Sequence, residues 1–277
     1  MRLFSTFTTG LATALVTVAA AAALAQTMSK QIITTGGNPN LPFSPAVKAG
    51  GFIYVAGALG TDASGAVAKG DIKAQTKQTL ENISATLKAG GSSLANATSV
   101  MIYLRSASDF AAMNEVYTTY FPKDPPARTT VVVPQPLANA DGLIEIAMVA
   151  VPNGGERVVV HPADWMKSPN PYSYGIKSGN TLFLSGLVSR NGKDNSTVKG
   201  DVATQAKVVL DNGAAILKQA GMRSTTTCCP DGRGGRPRTP ARVNASSSSA
   251  RRVSSASDPN GPPRSRAARS SALNCSR

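Results

Sequence analysis

The sequence predicts an α+β fold: a two-layer sandwich of a mixed sheet with two helices on one face, followed by a partial second copy of the same unit. Three observations carry this reading. Short apolar runs rich in β-branched residues alternate with longer segments of helical period. Each helical segment has one apolar face, which suits a helix laid on a sheet. One passage is also written twice. Pro42-Phe43-Ser44, Ile53-Tyr54-Val55-Ala56-Gly57 and Lys69-Gly70-Asp71 return as Pro171-Tyr172-Ser173, Leu182-Phe183-Leu184-Ser185-Gly186 and Lys199-Gly200-Asp201, at an offset of 129 that becomes 130. A period this long means tandem domains rather than a solenoid.

The elements follow in order. Residues 52–57 form a short apolar run between Gly50-Gly51 and Gly60, which reads as a strand. Ile72, Thr76, Leu80, Ile83 and Leu87 recur at helical spacing until Gly90-Gly91 stops the pattern. Residues 100–104 are a second strand. A second helix begins at Asp109, with Phe110, Met113, Tyr117 and Tyr120 on one face, Ser108 as N-cap and Pro122 as its close. Two strands follow, 129–133 and 143–151, joined by a loop rich in Pro, Asn and Gly. Pro152 ends the last strand, since it brings no donor to the ladder.

This assigns a complete domain to residues 30–151. Residues 152–170 show no sustained period and read as a linker. The second copy, 171–222, supplies strands near 172–177 and 181–186. A helix follows over about 201–220, with Val202, Ala206, Leu210 and Leu217 on one face. The likeness then stops, which leaves a sheet with an open edge and a helix with little to pack on.

The two ends have their own character. The net charge of +14 is unevenly placed. After Met222 there are 11 Arg, no Lys and 2 Asp, a net +9 that leaves +5 for everything before. A basic arm on nucleic acid and a disordered, solvated tail both suit such a composition. The abrupt change in residue usage, at the point where the second copy breaks off, favours a shifted reading frame over residues 223–277. All three cysteines, Cys228, Cys229 and Cys275, lie in that tail, so no disulfide framework is expected in the folded part. At the other end, Arg2, an apolar stretch over 11–24 and Ala23-Leu24-Ala25 read as a signal peptide, residues 1–25, cleaved before Gln26. The stretch is short for a membrane span of about 20 residues. An uncleaved anchor, or a start at Met28, are the alternatives. A periplasmic or secreted location is the expectation, with no membrane attachment after cleavage.

The chain has one histidine, His161, so no Ser–His–Asp or Cys–His constellation can form in the first copy. No phosphate-cradling glycine loop with its lysine appears, and no cofactor or metal is expected. Two charges stand out in apolar strands: Arg128 opens Arg128-Thr129-Thr130-Val131-Val132-Val133, and Glu145 interrupts Leu143-Ile144-Glu145-Ile146-Ala147. A charge taken from water needs a partner. The two could form an ordinary ion pair or lie on a solvated sheet face. Alternatively, they could share a pocket in which Arg128 grips a carboxylate and Glu145 handles a water.

Pro126-Ala127-Arg128-Thr129-Thr130, Leu143-Ile144-Glu145-Ile146, Asp109-Phe110 with Asn114-Glu115-Val116-Tyr117, and Ala56-Gly57 together resemble the RidA family of reactive-intermediate imine/enamine deaminases. The resemblance covers residues 30–151 completely and 171–222 as a truncated second domain. It implies a chorismate-mutase-like α+β fold, a homotrimer with sites in clefts between subunits, and cofactor-free hydrolysis of 2-imino acids to 2-keto acids and ammonia. Arg128 matches the arginine that binds the substrate carboxylate, and Glu145 the glutamate that orients the attacking water. Phe43, Ala56 and Thr130 stand where the family usually has tyrosine, serine and cysteine. The second copy keeps Tyr172 and Ser185 but ends before a matching arginine and glutamate, so it could lend hydroxyls to a composite site with the first copy. The rival reading is a non-catalytic module that binds a small carboxylate in the same cleft. The expected partner is thus a small 2-imino or 2-keto acid rather than nucleic acid, met by a homo-oligomer.

Overall fold

The computed structural model describes residues 30–35 and 42–223. The signal-peptide reading and the tail from residue 224 onward lie outside the described residues.

The first copy contributes β1 (Gln31–Ile33), β2 (Ala46–Ala49), β3 (Phe52–Leu59), α1 (Ile72–Ala89), β4 (Ala97–Leu104), α2 (Phe110–Tyr120), β5 (Ala127–Val132) and β6 (Ile144–Ala150). They form one six-stranded sheet in the order β1-β2-β3-β6-β4-β5. All pairs are antiparallel except β4 with β5. That parallel pair needs a crossover, and α2 supplies it. The fold class is therefore the α+β sandwich the sequence predicts.

Alternation decides which side chains meet. In β4, Val100, Ile102 and Leu104 are buried while Ser99, Met101 and Tyr103 are only partly so; in β6, Ile144, Ile146, Met148 and Ala150 are buried and Glu145, Ala147 and Val149 alternate with them. The buried set forms one core with Leu80, Ile83 and Leu87 of α1 and Met113 and Tyr117 of α2. Both helices thus cover the same face of the sheet.

The repeated Lys-Gly-Asp has a local cause. Asp71 caps α1 by accepting from the Ala74 N–H at 2.9 Å, after Gly70 turns the chain at φ +68°. A left-handed residue there favours glycine. Asp201 caps the second-copy helix α3 (Val202–Gln219) in the same way, accepting from the Thr204 N–H at 2.8 Å. The start of α2 differs from expectation. A short 3-10 turn, Ala107–Asp109, precedes it, and the capping oxygen is Ser106 Oγ, which accepts from the Ser108 N–H.

The second copy forms a three-stranded antiparallel sheet, β7 (Val158–Val160), β8 (Gly175–Ser178) and β9 (Thr181–Leu184). It reproduces β1-β2-β3 of the first copy. Its first strand falls where the sequence reads as linker, because Val158-Val159-Val160 is too short a run to show a period. Nothing among the described residues corresponds to β4, α2, β5 and β6. Val202 and Leu210 of α3 accordingly stay 85% and 72% exposed, whereas Leu80 and Ile83 of α1 are fully buried.

The second copy covers part of the sheet face opposite the helices. Ile176 and Phe183 are buried with Ala127, against Phe52, Val149 and Val159. It also bonds to the start of the β5 edge. The Arg128 N–H donates to Ser185 Oγ at 2.9 Å, the Gly186 N–H donates to the Arg128 carbonyl at 3.1 Å, and Ser173 Oγ donates to the Pro125 carbonyl at 2.6 Å. The outward backbone groups of Arg128 are thereby satisfied.

Candidate active site

Arg128 pairs with Val100, a core-facing residue, so its side chain points into the helix layer. There its Nη1 donates to Asn114 Oδ1 at 2.8 Å, and its Cζ lies 4.8 Å from the Tyr117 ring centroid and 5.8 Å from that of Phe110. Aromatic faces and an amide oxygen both favour a cation. The residue is only 5% exposed, and no carboxylate pairs with it among the described residues. Burial lowers its pKa, but a guanidinium remains charged. Asn114 takes one of five guanidinium N–H groups, which leaves donors for a bidentate carboxylate.

Arg128 lines a cleft of about 410 Å³. Phe110, Arg128 and Thr130 form its first-copy wall, and Tyr172, Gly186 and Leu187 its second-copy wall. Thr130 Oγ1 is buried there without a hydrogen-bond partner. The Tyr117 hydroxyl is buried and unpartnered too, and burial pushes its pKa far above the ordinary value.

Glu145 lies elsewhere. It pairs with Tyr103 on one side and Leu59 on the other, in the register that faces away from the helices. The β3/β6 register slips between Val55 and Ala58, and a Cβ at Gly57 would collide with Glu145 Oε1. Gln75, buried in α1, fixes the start of β6 by accepting from the Leu143 N–H at 2.8 Å. The carboxyl is half-buried, and burial alone raises its pKa. It lines a separate hollow of about 460 Å³ with Phe43, Ala56, Gly57 and Thr61.

The five residues singled out in the sequence therefore divide into two groups. Arg128 and Thr130 share the cleft between the copies; Glu145, Phe43 and Ala56 share the other hollow. The expectation that Arg128 and Glu145 converge on one pocket within the first copy is corrected. β4 stands between their strands, and opposite register parity sends their side chains to opposite faces of the sheet. One wall of each hollow is repeated, while the facing walls, Glu145 of β6 and Arg128 of β5, are not equivalent. Phe43 and Gly57 in one occupy the positions of Tyr172 and Gly186 in the other.

Ser185 does reach the arginine, but its hydroxyl is fully engaged: it accepts from the Arg128 N–H and donates to the Ser173 carbonyl at 2.6 Å. Asn114 stands in the sequence only as part of a family-like motif and was given no role, although its spacing from Phe110 and Tyr117 places all three on one helix face. His161 is engaged with the Trp165 carbonyl at 2.9 Å, away from both hollows. Among the described residues no three His, Cys, Asp or Glu side chains gather as metal ligands would.

Fold and site define a class: tandem α+β proteins with an arginine-lined cleft between the repeats and a glutamate-lined hollow within the first. A family model described as endoribonuclease L-PSP matches residues 36–152 and 163–226, and the chain belongs to this family, in which relatives carry the names RutC and RidA. A RutC family protein of Pyrococcus horikoshii is 46% identical over 124 residues, covering 44% of this chain and 97% of the relative. The 3-aminoacrylate deaminase RutC of Acinetobacter baylyi is 44% identical over 126 residues, 44% of this chain and 98% of its own. The solved structure of RidA from a Psychrobacter species, 34% identical, covers 44% of this chain and 98% of its own at a TM-score of 0.41.

Proposed function

We propose that this protein captures small 2-imino and 2-keto acids by their carboxylate in the cleft between its two copies, with Arg128 as the anion-binding group. The observation that carries this is a buried guanidinium with spare donors and no carboxylate partner among the described residues. Leaving such a charge unpaired is costly, and a bidentate guest carboxylate relieves it. The relationship to a named 3-aminoacrylate deaminase supports hydrolysis as the reaction. Water adds to the imine carbon, its proton passes to nitrogen, and the tetrahedral adduct expels ammonia to leave the 2-keto acid. Substrates of the 2-iminopropanoate and 2-iminobutanoate type suit this cleft, since Phe110 and Leu187 offer apolar wall to a short side chain.

One observation favours the binding-only reading. Among the described residues no carboxylate lines the Arg128 cleft, and Glu145, the residue proposed to orient water, sits in the other hollow. The open Glu145 hollow supports association with a further chain that would bring an arginine to it; a homo-oligomer, with three chains as its proposed number, is checked by light scattering. Export before Gln26 is likewise proposed, from the sequence alone, and N-terminal sequencing of the mature protein tests it.

The test couples an amino-acid oxidase to keto-acid detection. Under the deaminase reading the wild-type chain accelerates keto-acid release and Arg128→Ala abolishes the gain, whereas a loss in Glu145→Gln alone would move turnover to the Glu145 hollow. Under the binding reading no variant differs in turnover, yet 2-oxobutanoate stabilises the wild type against heat and fails to stabilise Arg128→Ala.

A further inference from the structure

The internal repeat allows the two hollows to be compared position by position. Thr61 and Arg190 each form the isolated antiparallel bridge of their copy, Thr61 with Val67 and Arg190 with Thr197. They are the same position of the repeat. Thr61 lines the Glu145 hollow; Arg190 lines the Arg128 cleft. Arg190 Nη1 donates to the Asn195 carbonyl at 3.0 Å, and Asn195 lines that cleft as well. The cleft therefore holds one buried and one exposed guanidinium. Among the described residues no Asp or Glu lines it, and neither arginine has a carboxylate partner.

We propose that the Arg128 cleft selects a dianion, a short-chain 2-oxo or 2-imino dicarboxylate, with one carboxylate on Arg128 and the other on Arg190. The inference rests on the carboxylate capture proposed above and names its substrate class. Two like charges facing one cleft repel, and a monocarboxylate answers only one of them. A dicarboxylate answers both, and its short chain passes the apolar Leu187 within a volume of about 410 Å³. The second copy carries arginine where the first carries threonine, so the preference belongs to this cleft and not to the Glu145 hollow. Because Arg190 is exposed, water screens its pairing, and the gain is on the order of tenfold or less.

The experiment measures binding of 2-oxoglutarate and of 2-oxobutanoate to the full chain at constant ionic strength, for the wild type, Arg190→Thr and Arg128→Lys. Arg190→Thr installs the residue that the first copy already carries in the same bridge, so it suits the local fold; circular dichroism confirms folding of each variant. The wild type is expected to favour the dicarboxylate about five- to tenfold, and Arg190→Thr to bring that ratio near unity. An unchanged ratio in Arg190→Thr, or a wild type that favours the monocarboxylate, overturns the dianion proposal. If 2-oxobutanoate binds and weakens in Arg128→Lys in either of those cases, carboxylate capture at Arg128 survives. If neither acid binds, both fall.

Discussion

Ser185 of the second copy holds the main chain of Arg128, accepting its N–H at 2.9 Å while Gly186 donates to its carbonyl at 3.1 Å. The residue that offers the guanidinium is therefore positioned by two different parts of the chain. Asn114 and Tyr117 fix its side chain from the helix layer, and the second copy fixes its backbone from the sheet edge.

Ser185→Ala tests this clamp. It leaves the Arg128 N–H and the Ser173 carbonyl without their side-chain partner in a buried place. Such a loss costs about 1–3 kcal/mol. Urea denaturation should show that decrease, and affinity for 2-oxobutanoate should fall with it.

Asn114→Ala removes the amide oxygen that orients the guanidinium. A hydrogen bond to a charged group is worth about 1.5–3 kcal/mol, so keto-acid affinity should drop by about tenfold or more. Asn114→Asp would instead supply a competing carboxylate, and calorimetry should find weaker binding still.

Tyr117 separates packing from polarity. Its ring lies under Arg128 and fills the core, yet its hydroxyl has no partner. Tyr117→Phe should leave stability unchanged or raise it by up to about 1 kcal/mol, because a buried unsatisfied hydroxyl is removed. Tyr117→Ala should cost about 3–5 kcal/mol through the cavity it leaves. Urea midpoints of the two variants decide the matter.

Glu145 gives a pH signature. Burial raises its carboxyl pKa in the folded chain above the unfolded value. As pH rises between those two values, the unfolded state gives up its proton first, so stability falls through that window and the penalty persists above it. Glu145→Gln should be slightly more stable than the wild type at neutral pH, and the advantage should vanish below the ordinary carboxyl range. The half-exposed position limits the gain to a fraction of about 1 kcal/mol. Thermal melts across acid to neutral pH should show the two curves converging at the acid end.

Much of the fold was legible because its signals are local. The 3.6-residue period of Ile72 to Leu87, the two-residue alternation of β6 and the repeated Asp cap each follow from neighbours in sequence. β1, β2 and β7 were not legible, since strands of three or four residues carry no period and exist by pairing with partners. The same limit applied to the site. Arg128 and Glu145 stand out as charges in apolar strands, but which face each takes depends on a register across β4 that no local pattern encodes. Arg190 emerges only when the two hollows are superposed through the repeat.

The most direct measurement is a crystal structure of the full chain with 2-oxobutanoate bound. The account predicts the acid in the cleft between the copies, with its carboxylate on the Arg128 guanidinium and Thr130 and Tyr172 beside it. A carboxylate seated in the Glu145 hollow while the Arg128 cleft stays empty, or an Arg128 that leaves the cleft to pair with an acidic side chain, would contradict it.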